Sequence, residues 1–204
     1  MQVGLKNRLR IISLLPIIIV FSITSYFVYN SYTAFESAQQ LQNRLEQNRY
    51  LNDVVGNIAR ERGMRAMYLG NATENILKSL KEQRKVVDEK VAIYLQYAQN
   101  NHSIGEQTQN INDVVSSMSK IKSLRPLVDE KQIEFKEVFN TFVEVQKKFI
   151  VQLGKITKIE IDKEIAELYS LYMTMANAKE SSGIERAFLA YSISKLAPLE
   201  EEEL

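Results

Sequence analysis

The stretch Phe135–Phe149, FKEVFNTFVEVQKKF, places Phe135, Val138, Phe142, Val145 and Phe149 at steps of three and four. That spacing gathers five large apolar side chains on one stripe of an α-helix and would scatter them over both faces of a strand. The stretch therefore predicts a helix with one face committed to a core.

The same period recurs on either side. Leu51, Val55, Ile58, Arg62 and Leu69 form one stripe. Leu77, Leu80, Val87, Val91, Tyr94 and Ala98 form a second, and Ile111, Val114, Met118 and Ile121 a third. Ile161, Ile165, Leu168, Tyr172, Met175, Ser182, Arg186 and Leu189 follow as a fifth. No alternating strand pattern runs beyond Asn30, and only seven Gly and three Pro punctuate 204 residues. The breaks are chemically sensible. Asn71 and Glu74 stand at capping-box spacing after Gly70. Asn100 to Gly105 is a polar loop, and Gly154 to Lys158 separates the last two stripes. Leu124-Arg125-Pro126 is expected to end the third helix, because the residue before proline avoids the α region. The fold class that follows is all-α, an up-and-down helical bundle. Its core is completed either within one chain or by a second copy. Narrow apolar stripes on long helices favour a homodimer.

Ile11–Tyr29, IISLLPIIIVFSITSYFVY, has no charge over 19 residues. That is long enough to cross the hydrocarbon core as a helix. A cleaved signal sequence would have a shorter apolar region and a small-x-small site, and Ser-Tyr-Phe-Val-Tyr is a poor one. Lys6, Arg8 and Arg10 precede the span, so the positive-inside rule keeps them in the cytoplasm. The expected organisation is a cytoplasmic N-terminus over 1–10, a transmembrane helix over 11–29, an extracytoplasmic helical domain over 30–195 and a polar tail over 196–204. Ser31 to Gln47 reads as a stalk continuing the first helix. The location is a bacterial inner membrane, with the domain in the periplasm.

Composition narrows the function classes. Net charge is +1, and setting aside the three N-terminal basic residues leaves 23 basic against 25 acidic. That is no footprint for nucleic acid, which needs a basic face. The absence of Cys removes disulfides, zinc thiolates and Cys nucleophiles. His102, the single His, lies in a polar loop without the neighbours of a metal site or catalytic base. No phosphate-cradling Gly loop or nucleophile motif occurs, so neither enzymatic activity nor a cofactor nor a metal is expected. Met64, Met67, Met173 and Met175 read as core filling.

Three arginines stand where apolar residues are expected. Arg62 continues Val55 and Ile58, Arg125 continues Met118 and Ile121, and Arg186 follows Tyr172 and Met175. Small neighbours leave room at two of them: Gly63 and Ala66 by Arg62, and Ser181, Ser182, Gly183 and Ala187 by Arg186. A guanidinium fork matches a planar oxyanion by two parallel hydrogen bonds. Spacing alone leaves open whether these arginines hold an anion or form structural ion pairs with carboxylates such as Glu61 and Glu185.

Longer motifs separate these readings. Arg60-Glu61-Arg62-Gly63 followed by Met67-Tyr68-Leu69 resembles the opening hallmark of the nitrate- and nitrite-sensing NIT family. Lys179-Glu180-Ser181-Ser182-Gly183-Ile184-Glu185-Arg186-Ala187-Phe188-Leu189 resembles its second hallmark, and Leu124-Arg125 with Val128-Asp129 resembles a segment between them. The resemblance covers about Gln47 to Ser194. It implies an all-helical sensory domain of a chemoreceptor or histidine kinase that binds nitrate, nitrite or a similar small anion. The residues it implies as ligands are Arg62, Arg125 and Arg186, with Arg60 as a further member. The family domain continues past the second hallmark, whereas here Leu196 to Leu204 follow, with an acidic run at Glu200–Glu203. The other reading is a membrane-anchored helical module that dimerises or docks a partner without a ligand.

Overall fold

The computed structural model describes residues 5–100, 106–154 and 163–196. His102, Ile161 and residues 197–204 lie outside them. Five helices follow in order: α1 (Leu5–Gly70), α2 (Glu74–Asn100), α3 (Glu106–Asp129), α4 (Phe135–Leu153) and α5 (Lys163–Lys195), with no strand among the described residues. The chain divides into two compact units, Met1–Gln42 and Asn43–Leu204.

The first unit is the N-terminal part of α1. Every residue from Ile12 to Tyr32 is exposed, although the stretch is apolar on all sides. A helix apolar all round has no stripe to bury against a soluble neighbour and suits lipid as its solvent. Its length and composition make it a candidate membrane span. The helix runs through Pro16. Ser22 donates to the Ile18 carbonyl at 2.8 Å, so its hydroxyl is satisfied within the helix.

The second unit is the bundle, and the stripes of α2, α3 and α4 are its core. Leu80, Val87, Val114, Ile121, Phe142, Val145 and Phe149 are fully buried. From α1 come Leu51, Val54 and Ile58, so Val54 lies deeper than Val55. A smaller cluster joins α1, α4 and α5 through Ala66, Phe135, Phe139, Ala187 and Tyr191. In it the Phe135 and Tyr191 rings stack at 4.0 Å.

Three local expectations are corrected. The helix α3 does not stop before Pro126 but continues to Asp129. Proline cannot donate to the preceding turn, yet only one turn remains, and there the chain reverses. Glu130 N–H donates to Pro126 O at 3.0 Å and Gln132 N–H to Leu127 O at 2.8 Å, around Lys131 at φ 54°. The cap of α2 is Thr73 rather than Asn71: Ile76 N–H donates to the Thr73 hydroxyl at 3.3 Å. The third correction concerns α5. Leu168, Met175, Ser182, Arg186 and Leu189 are exposed, and the buried face is Tyr169, Glu180, Gly183, Ala187 and Tyr191. Leu168, Met175 and Leu189 of the expected stripe, together with Leu171 and Ile193, form a second, exposed apolar face. Met67 and Met175 are exposed as well, whereas Met64 and Met173 pack against the core.

Helix α5 comes close to α1 at Gly70. A Cβ there would stand 2.6 Å from the Tyr191 carbonyl oxygen and 2.8 Å from Ser194 Cβ. Gly63 has nothing within 4 Å of the same position. Gly70→Ala should therefore destabilise the full chain in detergent by about 1–3 kcal/mol through overpacking against backbone. Gly63→Ala should be neutral or stabilising by up to about 1 kcal/mol, because alanine favours helix. Thermal melts of the two variants check this. Equal melting points would show that the α1–α5 approach is looser than described.

Candidate functional site

Helix α1 places Glu61 and Arg62 side by side in sequence, both buried, with exposures of 0% and 2%. Consecutive helical residues point about 100° apart, so the two charges meet different neighbours.

Glu61 faces α2 and α3. Its carboxylate accepts from Arg65 Nη2 at 2.5 Å, one turn on along α1. It also accepts from Arg125 Nε and Nη2, each at 3.3 Å. Arg84 Nε lies 3.7 Å away. Two further carboxylates complete the group. Asp88 accepts from Arg125 Nη1 at 2.6 Å, and Asp129 accepts from Arg84 Nη1 at 2.9 Å. Three guanidinium groups thus face three carboxylates. This balance is what makes burial tolerable, because removing an ion from water costs several kcal/mol. Burial lowers the Arg65 pKa to about 10 against the opposing pull of Glu61, so Arg65 stays charged at neutral pH. Its guanidinium lies 4.5 Å from the Phe142 ring centroid. Burial works against the charge of Arg125 too, but the hydrogen bonds it donates to Asp88 and Glu61, with their negative charge, outweigh it and raise its pKa.

Arg62 faces α5. Its fork meets Glu180 in a bidentate pair, Nη1–Oε1 at 2.5 Å and Nη2–Oε2 at 3.2 Å. Glu180 is itself 8% exposed. A Cβ on Gly183 would stand 2.9 Å from Arg62 Nη2, so glycine there gives the guanidinium its place. A cavity of about 40 Å³ lies alongside, between α1, α4 and α5. Gly56, Ala59, Gln146, Lys179, Glu180, Gly183 and Arg186 are among its lining residues. Its size suits one or two waters or a small inorganic ion. Gln146 donates to the Val55 carbonyl at 2.9 Å, while its Oε1 has no donor among the described residues. A larger open groove between α3 and α4 is lined by Asp113, Glu144, Lys147 and Lys148 and contains no arginine. No cluster of metal-ligating side chains occurs among the described residues.

The four arginines singled out in the sequence therefore separate. Arg62 and Arg186 share the α5 side, Arg62 through Glu180 and Gly183 and Arg186 at the cavity. Arg125 belongs to the Glu61 group on the other side of α1. Arg60 and Arg186 are exposed and form no ion pair with a described residue. Sequence reasoning missed Arg65, Arg84, Asp88 and Glu180 as partners. Arg84 carried a signal, since it continues Leu77, Leu80, Val87 and Val91 at helical spacing. Arg65 continues Ile58 at a step of seven.

Because Glu61 balances several cations at once, Glu61→Ala should cost about 3–5 kcal/mol. A domain of this size then melts roughly 6–20 °C lower. Glu130→Ala, at an exposed turn residue, is the control. Melting points within 2 °C of each other, roughly half a kcal/mol on that scale, would show that Glu61 is not what holds the three arginines.

The three motifs that stand apart in the sequence are in contact here. The Glu61-Arg62 motif meets Arg125 of the second and Glu180 of the third. No curated protein and no solved structure matches the chain. The family described as nitrate and nitrite sensing, NIT, matches residues 53–204. That match spans most of the chain and includes every residue of both charge groups, and the chain belongs to the NIT family.

Proposed function

We propose that the bundle is the extracytoplasmic sensory domain of a bacterial signal-transduction receptor of chemoreceptor or histidine-kinase type. It binds nitrate, nitrite or a similar small anion between helices and passes a conformational signal across the membrane through α1. The observation that carries this reading is the α5 side of Arg62. There a buried guanidinium fork, a cavity of ionic size and the cations Lys179 and Arg186 come together within a region matching a nitrate- and nitrite-sensing family. In this reading Arg62 and Arg186 contact the anion. Arg125 fixes α1 through Glu61, and the exposed Arg60 adds positive potential.

One observation favours the alternative of a purely structural helical module: Arg62 and Arg125 are both already ion-paired. Anion titration separates the two. The full chain in detergent should melt higher in nitrate or nitrite than in equal chloride, because a ligand that binds only the folded state stabilises it. Arg62→Ala and Arg186→Ala should need about ten- to a hundredfold more anion, the loss of a contact worth roughly 1.5–3 kcal/mol. A wild type indifferent to nitrate, nitrite, sulfate and acetate would leave the module reading standing.

The second apolar face of α5 supports a homodimer. Leu168, Leu171, Met175, Leu189 and Ile193 are each more than half exposed, along a 3.5-residue repeat of the kind that pairs helices. Lys6, Arg8 and Arg10 before the apolar span support a cytoplasmic N-terminus. The chain has no cysteine, so single introduced ones test both points. Glu130→Cys in intact cells should react with a membrane-impermeant thiol reagent, and Leu189→Cys should crosslink under oxidation. Protection of the first until lysis would reverse the topology. Monomeric Leu189→Cys would remove α5 from any dimer contact.

A further inference from the structure

We propose that Glu180 is a built-in competitor for the anion: its carboxylate fills the Arg62 fork in the empty protein, and an incoming planar monoanion takes its place. This rests on the anion-binding reading above and adds the device that regulates it. The geometry supplies the first reason. Arg62 meets Glu180 through two parallel contacts, Nη1–Oε1 and Nη2–Oε2. A carboxylate and a nitrate or nitrite ion present the same acceptor to that fork: two oxygens, coplanar, sharing one negative charge.

Charge supplies the second. Arg62 is 2% exposed, and its only ionic partner among the described residues is Glu180. An anion added beside an intact pair would put two negative charges on one buried cation, at a severe desolvation cost. An anion that replaces the carboxylate leaves the local charge around Arg62 unchanged. Space supplies the third. Glu180 lines the cavity beside the fork, and so do Arg186, which would contact the anion with Arg62, and Lys179, a cation that would receive the displaced carboxylate. Gly56 lines it too, and nothing stands within 4 Å of where its Cβ would be.

The exchange would couple ligand to fold. The Arg62–Glu180 pair is the one ion pair between α1 and α5 among the described residues. Binding by exchange breaks it, so the anion favours an arrangement in which α5 is no longer tied to α1. The cost of breaking the pair appears as lowered apparent affinity, since only the fraction with an open fork binds.

Nitrate and nitrite titrations of the full chain in detergent, read by thermal shift and by calorimetry, test this with Glu180→Gln. Glutamine keeps the size of the side chain but is neutral and offers the fork one oxygen instead of two. The expected result is a lower melting point in chloride and a tightening of the apparent nitrate affinity by about tenfold or more. If Glu180→Gln does not accumulate, Glu180→Asp carries the comparison, since a carboxylate one methylene shorter loses the two-point fit and should also bind nitrate more tightly. A wild type and a variant that bind nitrate equally well would overturn the competitor while leaving the anion site intact. A variant that binds more weakly than wild type would also overturn it, because Glu180 would then be helping to hold the anion. No response from either protein would remove the anion site and the competitor together.

Discussion

Glu61 and Arg62 set the terms for the rest of the bundle. Two opposite charges, adjacent on one helix and both removed from water, cannot satisfy each other alone and must each find partners in other helices. Glu61 finds Arg125 from α3 and Arg65 from its own next turn, and Arg62 finds Glu180 from α5. Apolar stripes tolerate a slide of one helix past another with modest repacking. A bidentate guanidinium–carboxylate pair does not, because its distances and plane are fixed. The polar contacts therefore choose the register, and the apolar contacts supply most of the stabilisation. Phe142, packed under Arg65, and Phe139, near Arg62, show how closely the two kinds of contact are interleaved.

The small residues follow from the same constraint. Gly183 stands where a methyl group would meet the Arg62 guanidinium, and Ala66 and Ala187 pack in the neighbouring cluster. Gly70 brings α1 against the α5 backbone near Tyr191. Close approach on this side is what lets a short carboxylate such as Glu180 reach Arg62. It also leaves α5 with a narrow buried face of glycine, alanine, tyrosine and a paired glutamate. The large aliphatic residues of α5 lie on the other side, available to whatever covers them.

That inversion explains which parts of the fold were legible in the sequence. On α2, α3 and α4 the residues that face the core are the large apolar ones, so a 3.6-residue period identifies the buried face directly. On α5 the period is equally clear, and it marks the exposed face. Leu168, Met175 and Leu189 carry the hydropathy signal, while Glu180 and Gly183 carry none and are buried because Arg62 needs them. No single-chain pattern contains that information, since it depends on a residue more than a hundred positions away. Pro126 misled for a simpler reason: a proline one turn before a helix end costs a single hydrogen bond, and the reversal at Lys131 follows at once. Among the site residues, the unusual position of Arg62 and Arg125 on apolar stripes was readable. That they engage different faces of α1 was not, because the stripe containing Val55 differs from the one containing Val54 by a single residue.

Ion pairing and anion sensing are rival explanations for a buried arginine, yet under the exchange proposed above they would be successive states of one site at Arg62. A guanidinium left bare in a bundle would destabilise the empty protein, and one satisfied by several rigid partners would be closed to any ligand. Arg125 is held by Glu61 and Asp88 together. Arg62 lies between these limits. A single carboxylate satisfies it, that carboxylate comes from another helix, and it borders a small cavity with two cations nearby. A ligand shifts a conformational equilibrium only by its differential affinity for the two states. In the proposed exchange the resting partner is a tethered carboxylate offering the same two-oxygen acceptor as the ligand, so exchange would preserve the bond to Arg62 and change what the bond connects.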